Sequence, residues 1–134
     1  MAEVTQTRLH VMRAFYLLLF LERGYRLVVQ IMSGKPLGPF DGVAYAFWGA
    51  LALLCLLGLR YPLKMVPVLL IFLIYKLLWL AMVALPLWSA GTPMDAVMGQ
   101  FTIAMAAGVV IDLLVIPWGY VVANYVRAPA ERAA

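Results

Sequence analysis

Two long apolar stretches decide which solvent this chain can fold in. Residues 42–59 contain no Asp, Glu, Lys or Arg, and residues 65–88 contain only Lys76 among these residue types. A helix needs about 20 consecutive apolar residues to cross the hydrocarbon core of a bilayer. The chain is 66% hydrophobic and 12% charged, whereas soluble domains are about half apolar and a quarter charged. These features predict a multi-pass membrane protein and argue against a water-soluble domain.

We predict four membrane spans in a single integral membrane domain that covers residues 1–134. Loops rich in glycine and proline, or a short basic connection, separate the apolar stretches. The predicted fold class is therefore all-α membrane, an antiparallel four-helix transmembrane bundle. The four spans cover residues of about 8–32, 42–59, 65–88 and 101–125.

Two local signals concern the last predicted span. Residues 92–95 are expected to cap a short interfacial helix that runs into this span, because Asp95 is a favourable N-cap residue. Pro117 lies inside the span and cannot donate a backbone hydrogen bond to Leu113. We therefore expect a kink at Pro117.

Basic residues near the ends of the predicted spans are distributed unevenly, which predicts the orientation. Only Lys35 lies outside the spans on one side of the predicted bundle. Because Lys and Arg are retained on the cytoplasmic side, both termini and the middle loop are expected to be cytoplasmic. The net charge of +4 follows this topological pattern and does not indicate a nucleic-acid partner. The basic residues of the opposite, cytoplasmic side are Arg8, Arg13, Arg60, Lys64, Arg127 and Arg132.

Charged side chains inside the predicted spans are the feature that points beyond a generic hydrophobic protein. Glu22, Lys76 and Asp112 fall at nearly the same depth, and Arg26 follows Glu22 by one helical turn. An unpaired charge at the bilayer centre costs about 2.5–3.5 kcal/mol on insertion scales, so such residues are usually paired or functional. We predict that Lys76 pairs with Asp112, that Glu22 pairs with Arg26 beside them, and that this intramembrane charge cluster is shielded from lipid. The cluster could fix helix register, form a proton or cation site, or form a polar contact surface for another membrane protein, and the last reading predicts that Arg23 faces lipid or a partner.

Small residues are spaced to form packing faces on two of the spans. Gly42, Ala46 and Ala50 repeat every four residues on the second span, and Ala104 and Gly108 share a face with Asp112 on the fourth. Small residues at this spacing let two helix backbones approach closely in a membrane. These stripes are therefore predicted helix-packing positions, within the chain or between copies.

The sequence contains no constellation that indicates catalysis or metal binding. His10 and Cys55 are each the only residue of their type, so neither a metal site nor a nucleophile with a histidine base is indicated. We therefore predict no catalytic residues, no cofactor and no enzyme activity. The first functional hypothesis is an accessory or oligomerising membrane module whose partners are the bilayer and a second copy or another membrane protein. The second is a small proton- or cation-coupled transporter that uses Glu22, Lys76 and Asp112.

Five strings carry a resemblance in the second half of the chain, namely Leu59-Arg-Tyr-Pro-Leu-Lys-Met65, Tyr75-Lys-Leu-Leu-Trp79, Ala84-Leu-Pro-Leu-Trp88, Ile116-Pro-Trp-Gly-Tyr-Val121 and Tyr125-Val-Arg-Ala-Pro129. Through them this half resembles a group of small four-span bacterial inner-membrane proteins of about 130 residues. The resemblance implies the bacterial inner membrane as the location and implies no activity. Glu22, Arg23 and Arg26 lie outside it.

Overall fold

The structure of the protein is a computed structural model that describes residues 3–132. It is all-helical, with 79% helix and no strand among the described residues. The elements in chain order are α1 (Gln6–Ser33), α2 (Pro39–Arg60), α3 (Val66–Trp79), a π-helical turn (Leu80–Ala84), α4 (Leu85–Ser89), α5 (Ala96–Val115), α6 (Trp118–Val121) and a second π-helical turn (Val122–Val126).

Three helical stretches are long and apolar enough to cross a membrane, namely Pro39–Arg60, Val66–Ser89 and Ala96–Val115. The second of them is one continuous helix made of α3, the first π-helical turn and α4. α1 has 28 residues and is therefore about 42 Å long at 1.5 Å per residue. Its three charged residues near the middle, Glu22, Arg23 and Arg26, keep it outside this apolar set.

The described residues divide into two compact units, the first formed by residues up to Val68 together with those from Trp118 onwards. Within it, α1 and α2 form a hairpin. Thr5 caps the start of α1 by accepting a hydrogen bond from the backbone N–H of Arg8. α1 ends at Gly34, whose left-handed backbone (φ 64°) is the usual way to close a helix.

The two helices of this first hairpin run antiparallel and touch through glycines of α2. The ring of Tyr16 packs on Gly58, and Leu27 packs on Gly49, so the end of α2 meets the first half of α1. A Cβ atom at position 58 would lie 2.5 Å from the Tyr16 ring, a distance that only glycine permits. The hairpin is therefore held by a close approach that depends on a missing side chain.

The second unit, Leu69–Pro117, contains most of the Val66–Ser89 helix and α5. Pro86 interrupts the hydrogen bonding of the Val66–Ser89 helix without ending it. The turn before Pro86 is π-helical, and the Leu85 N–H donates to the carbonyl of Leu80. Asp95 caps α5 directly, with 2.7 Å between its Oδ1 and the backbone N of Met98. The N-cap prediction is confirmed, and the helix that Asp95 caps continues without a break from Ala96 into the predicted last span.

Pro117 breaks the last predicted span instead of kinking it. α5 ends at Val115, and Ile116 adopts an extended conformation (ψ 126°) before α6 begins at Trp118. A proline disfavours the helical conformation of the residue that precedes it, which explains why Ile116 is extended. The predicted continuous span of about 101–125 is therefore corrected to the α5 helix, Ala96–Val115, followed by a separate helical segment.

Candidate functional site

A buried ion pair joins the two long helices of the second unit. Nζ of Lys76 on α3 lies 2.6 Å from Oδ2 of Asp112 on α5. The side chain of Lys76 is 7% exposed and that of Asp112 is 0% exposed. The predicted pairing of these two residues is confirmed. Both residues belong to helices that are candidate membrane spans, so the pair satisfies charges that would be costly alone in hydrocarbon.

Two aromatic rings and a glycine lie beside the Lys76 side chain. Nζ lies 5.4 Å from the centre of the Phe72 ring and 5.8 Å from that of the Tyr75 ring, within the range of cation–π attraction. On the facing helix, a Cβ atom at Gly108 would lie 2.9 Å from Cε of Lys76 and 3.2 Å from its Nζ. Gly108 therefore provides the space in which the lysine side chain reaches Asp112.

The position of Asp112 along its helix differs from the prediction. A span of 101–125 would place Asp112 at its middle, whereas α5 ends only three residues later, at Val115. Lys76 lies ten residues beyond the start of the Val66–Ser89 helix, or about 15 Å at 1.5 Å per residue. The pair therefore lies well inside one candidate span and in the last turn of the other.

A second ion pair lies on α1. Nε of Arg26 is 2.5 Å from Oε1 of Glu22, and Nε of Arg23 is 2.9 Å from Oε2 of the same carboxylate. The predicted Glu22–Arg26 pair is confirmed. It differs from the Lys76–Asp112 pair in exposure, since the side chains of Arg26 and Glu22 are 53% and 37% exposed. Glu22 is thus shared by two guanidinium groups on one helix.

Arg23 does not face lipid or a partner, which corrects the prediction. Its side chain is only 11% exposed, and its guanidinium lies 5.3 Å from the centre of the Trp48 ring on α2. The contact joins α1 to α2 beside the Leu27–Gly49 contact. An arginine on an indole ring can bury its charge at lower cost than in hydrocarbon, because the ring face attracts the cation. Trp48 is the aromatic partner that the sequence did not reveal.

The structure shows the two ion pairs, but it does not test whether they form the single cluster that was predicted from their depth. Glu22 and Arg26 belong to the first compact unit, and Lys76 and Asp112 belong to the second. Each pair is complete within its own unit. A meeting of all four side chains at one depth stays a prediction.

The predicted small-residue stripes are mostly outside the packed faces. Ala46, Ala50 and Ala104 are exposed. Gly42 is half-buried, and a Cβ atom added to it would lie 4.0 Å from Cβ of Leu37. Gly108 is the member that packs, against Lys76. The small residues of α2 that are buried repeat every three positions instead of every four, and they are Gly49, Ala52, Cys55 and Gly58.

An open apolar groove of about 540 Å³ runs along the second unit. The single hydroxyl in its lining belongs to Thr102, which donates to the backbone carbonyl of Met98 at 2.8 Å. Hydrocarbon fits such a surface, and the lining offers no group for acid–base chemistry. It is formed by Leu77, Leu80, Ala81, Ala84, Leu85, Trp88, Met94 and Thr102.

Residues 3–132 bring together no group of three His, Cys, Asp or Glu side chains that could hold a metal ion. His10 is exposed, and its Nδ1 lies 2.7 Å from the backbone carbonyl oxygen of Gln6 within the same helix.

Comparisons of the chain with protein-family models, with curated proteins and with solved structures find no match. The site is therefore defined by its own geometry, which is suited to joining helices through a buried charge pair.

Proposed function

We propose that this chain is a multi-pass protein of the bacterial inner membrane that acts as a non-enzymatic oligomerising or accessory module. In this proposal the four long helices form an antiparallel transmembrane bundle with both termini in the cytoplasm. Three apolar helices of spanning length support the membrane location, and the excess of Lys and Arg at one set of helix ends supports the orientation.

The proposal treats α1 as the fourth span although it carries three charged residues near its middle, Glu22, Arg23 and Arg26. Glu22 is neutralised by Arg26 one turn away, and Arg23 is covered by Trp48 of α2. α1 would therefore enter the bilayer as a partner of α2. Arg26 can extend its long side chain toward the headgroups, which lowers the cost of its exposed position.

The observation that carries the oligomerising role is the exposed small-residue face of α2. Ala46 and Ala50 are exposed on a helix that is apolar enough to cross the membrane. In lipid, two helices gain little from burying apolar surface, and small residues that permit close backbone contact favour association. The proposed partner of this face is a second copy of the chain or another membrane protein.

Association can be measured by single-molecule photobleaching of the full-length, labelled protein in liposomes over a series of protein-to-lipid ratios. We expect dimers whose fraction rises with protein density. The double substitution Ala46→Leu/Ala50→Leu should reduce that fraction strongly, because the larger side chains hold the backbones apart.

The matched control for this experiment is Ala106→Leu. Ala106 is also exposed, and it lies two residues from both Ala104 and Gly108, on the opposite face of α5. This control should leave the dimer fraction unchanged. A monomer at every density, or an equal loss in the control, would contradict the proposed role of the α2 face.

The competing proposal is proton- or cation-coupled transport through Glu22, Lys76 and Asp112. Its support is the buried carboxylate of Asp112 within a helix of spanning character. Liposomes containing the protein and an internal pH dye distinguish the two proposals. A proton flux that Asp112→Asn abolishes, in a variant that keeps the helical circular dichroism of the wild type, would favour the transporter. No flux above protein-free liposomes would favour the oligomerising module.

A further inference from the structure

The connection between α2 and α3 must lie at a membrane surface. α2 ends at Arg60 and α3 begins at Val66, and both helices are candidate spans. A link of five residues is too short to leave the headgroup layer, which is several ångströms thick on each side of the hydrocarbon core. Side chains on this link therefore lie at the depth of the lipid phosphates.

The connection is held by hydrogen bonds. The buried hydroxyl of Tyr16 donates to the carbonyl of Pro62 at 2.9 Å, and Nε of Arg13 donates to the carbonyl of Leu59 at 3.1 Å. The Tyr61 N–H donates to the carbonyl of Leu57 at 2.8 Å, which continues the α2 hydrogen-bonding pattern into the link. Side chains that project from this link thus start from a fixed backbone.

Two cations, one on the last residue of α2 and one on this link, lie beside one aromatic ring. Cζ of Arg60 and Nζ of Lys64 each lie 5.4 Å from the centre of the Tyr61 ring. They are therefore no more than about 11 Å apart, because both distances are measured to the same point. All three residues are exposed. Among the described residues, no carboxylate lies within ion-pair distance of Arg60 or Lys64.

We infer that Arg60, Tyr61 and Lys64 form a binding site for the phosphate headgroup of an anionic phospholipid. A phosphodiester supplies the negative charge that the two cations lack, and arginine can bind its oxygens in a bidentate manner. Basic residues at a membrane surface each contribute about 1 kcal/mol to the attraction of anionic lipid. The inference goes beyond the proposed oligomerising role, and it depends only on the spanning character of the two flanking helices.

A lipid fits this site better than a free anion because the site continues into an apolar surface. Leu56 and Leu57, at the end of α2, are exposed and lie within the candidate span. The acyl chains of a lipid whose headgroup contacts Arg60 and Lys64 can pack along these side chains. Tyr61 lies at the boundary, where amphipathic aromatic residues are favoured.

The test is native mass spectrometry of the full-length protein in detergent, titrated with phosphatidylglycerol and, separately, with phosphatidylcholine. The wild type should bind phosphatidylglycerol more tightly than phosphatidylcholine. Arg60→Gln/Lys64→Gln should weaken phosphatidylglycerol binding about 30-fold, which corresponds to the loss of two contributions of about 1 kcal/mol each. The substitution should leave phosphatidylcholine binding unchanged.

The matched control is Lys35→Gln/Arg132→Gln, which removes the same charge from two other exposed positions. It should change phosphatidylglycerol binding by less than about threefold, since charges away from the phosphate are screened over about a Debye length. Equal weakening by the two double substitutions would overturn the site, because only overall charge would then matter.

Inorganic phosphate separates a lipid site from a general phosphate site. Millimolar phosphate should leave bound phosphatidylglycerol in place if the acyl chains contribute to the affinity. Complete displacement at that concentration would overturn the assignment to lipid.

Circular dichroism of both variants should match that of the wild type, since the substituted side chains are exposed. If Arg60→Gln/Lys64→Gln lost helical signal, Arg60→Lys/Lys64→Arg would replace it, and the retained charges should then retain phosphatidylglycerol binding within about tenfold.

Discussion

The first hairpin, α1 and α2, and the two long helices of the second unit, which we call the second hairpin, hold their helices together in opposite ways. In the first, α1 and α2 approach through Gly58 and Gly49, and the charged pair of Glu22 and Arg26 lies on the exposed side. In the second, the pair of Lys76 and Asp112 lies in the contact itself and is almost completely buried. The same chemical unit, a carboxylate with a cation, therefore has two structural roles.

Burial determines this difference. A buried pair has no competing solvent, so removal of one partner leaves a charge that nothing compensates. An exposed pair can exchange its partner for water or a lipid headgroup, and Glu22 has Arg23 as a second cation in addition. Substitutions in the buried contact should thus be costly, and those in the exposed pair should be mild.

Asp112→Asn should have the largest effect, a loss of about 3–5 kcal/mol in the free energy of unfolding. The substitution keeps the shape of the side chain and leaves the Lys76 ammonium buried without a countercharge. Reversible unfolding in mixed micelles of detergent and sodium dodecyl sulfate, followed by tryptophan fluorescence, measures the loss.

The control for this prediction is the double substitution Lys76→Met/Asp112→Leu. It removes both charges and fills the space with apolar atoms, which often restores stability at the site of a buried pair. We expect the double variant to be more stable than Asp112→Asn. If the double variant were less stable, the attraction between Lys76 and Asp112 would be the main contribution, and the unpaired charge left by Asp112→Asn would not explain its loss.

Gly58→Ala should have the next largest effect, a loss of about 1–3 kcal/mol. The new Cβ would lie 2.5 Å from the ring of Tyr16, which is fully buried and anchored by its hydroxyl on Pro62. The ring therefore cannot move away easily. Gly24→Ala is the matched control, since Gly24 is also in a helix of this hairpin and has nothing within 4 Å. An equal loss in the control would show that helix flexibility, and not close approach, is the reason for glycine.

Gly108→Ala should cost less than Gly58→Ala, about 1 kcal/mol. The added Cβ would lie 2.9 Å from Cε of Lys76, but that atom is near the end of a flexible side chain. The same unfolding measurement applies, with Gly99→Ala on α5 as the control because nothing lies within 4 Å of it. In a Lys76→Met background the loss should change, since the two residues are in direct contact. Strictly additive effects would mean that Gly108 does not act through the lysine.

The sequence predicts these charged contacts better than it predicts the apolar ones. Lys76 and Asp112 could be paired because a charge within an apolar helix needs a partner, and few partners exist at a similar depth. The same reasoning identified Arg26 as the partner of Glu22. Arg23 was misplaced because an indole ring can also cover a cation, and the sequence gives no sign of which tryptophan faces it.

The packed face of α2 could not be predicted because the helix is apolar on every side. Lipid is as apolar as a protein interior, so hydropathy does not mark which residues meet α1. The stripe of Gly42, Ala46 and Ala50 and the stripe that includes Gly49 and Gly58 are both compatible with the sequence. Tyr16 selects the second stripe through its fit on Gly58, which is a matter of shape.

The two prolines near helix ends show that the path of the backbone is also only partly predictable from the sequence. Both Pro86 and Pro117 lack the N–H that a helix needs. The helix passes Pro86 through a π-helical turn, whereas it stops before Pro117, where Ile116 becomes extended. The presence of a disturbance is predictable from the residue type, but its form depends on the local hydrogen bonds that can be rearranged.

Arg26→Gln should have the smallest effect, a loss below about 1 kcal/mol in the same assay. The side chain of Arg26 is 53% exposed, and Glu22 keeps the contact with Arg23 at 2.9 Å after the substitution. A loss comparable to that of Asp112→Asn would mean that the Glu22 pair is covered in the membrane, which is the outcome expected if all four charged residues form one cluster. A small loss would mean that each hairpin neutralises its own charges. The size of this one effect therefore decides whether the contrast between the two hairpins persists in an apolar environment such as the micelle.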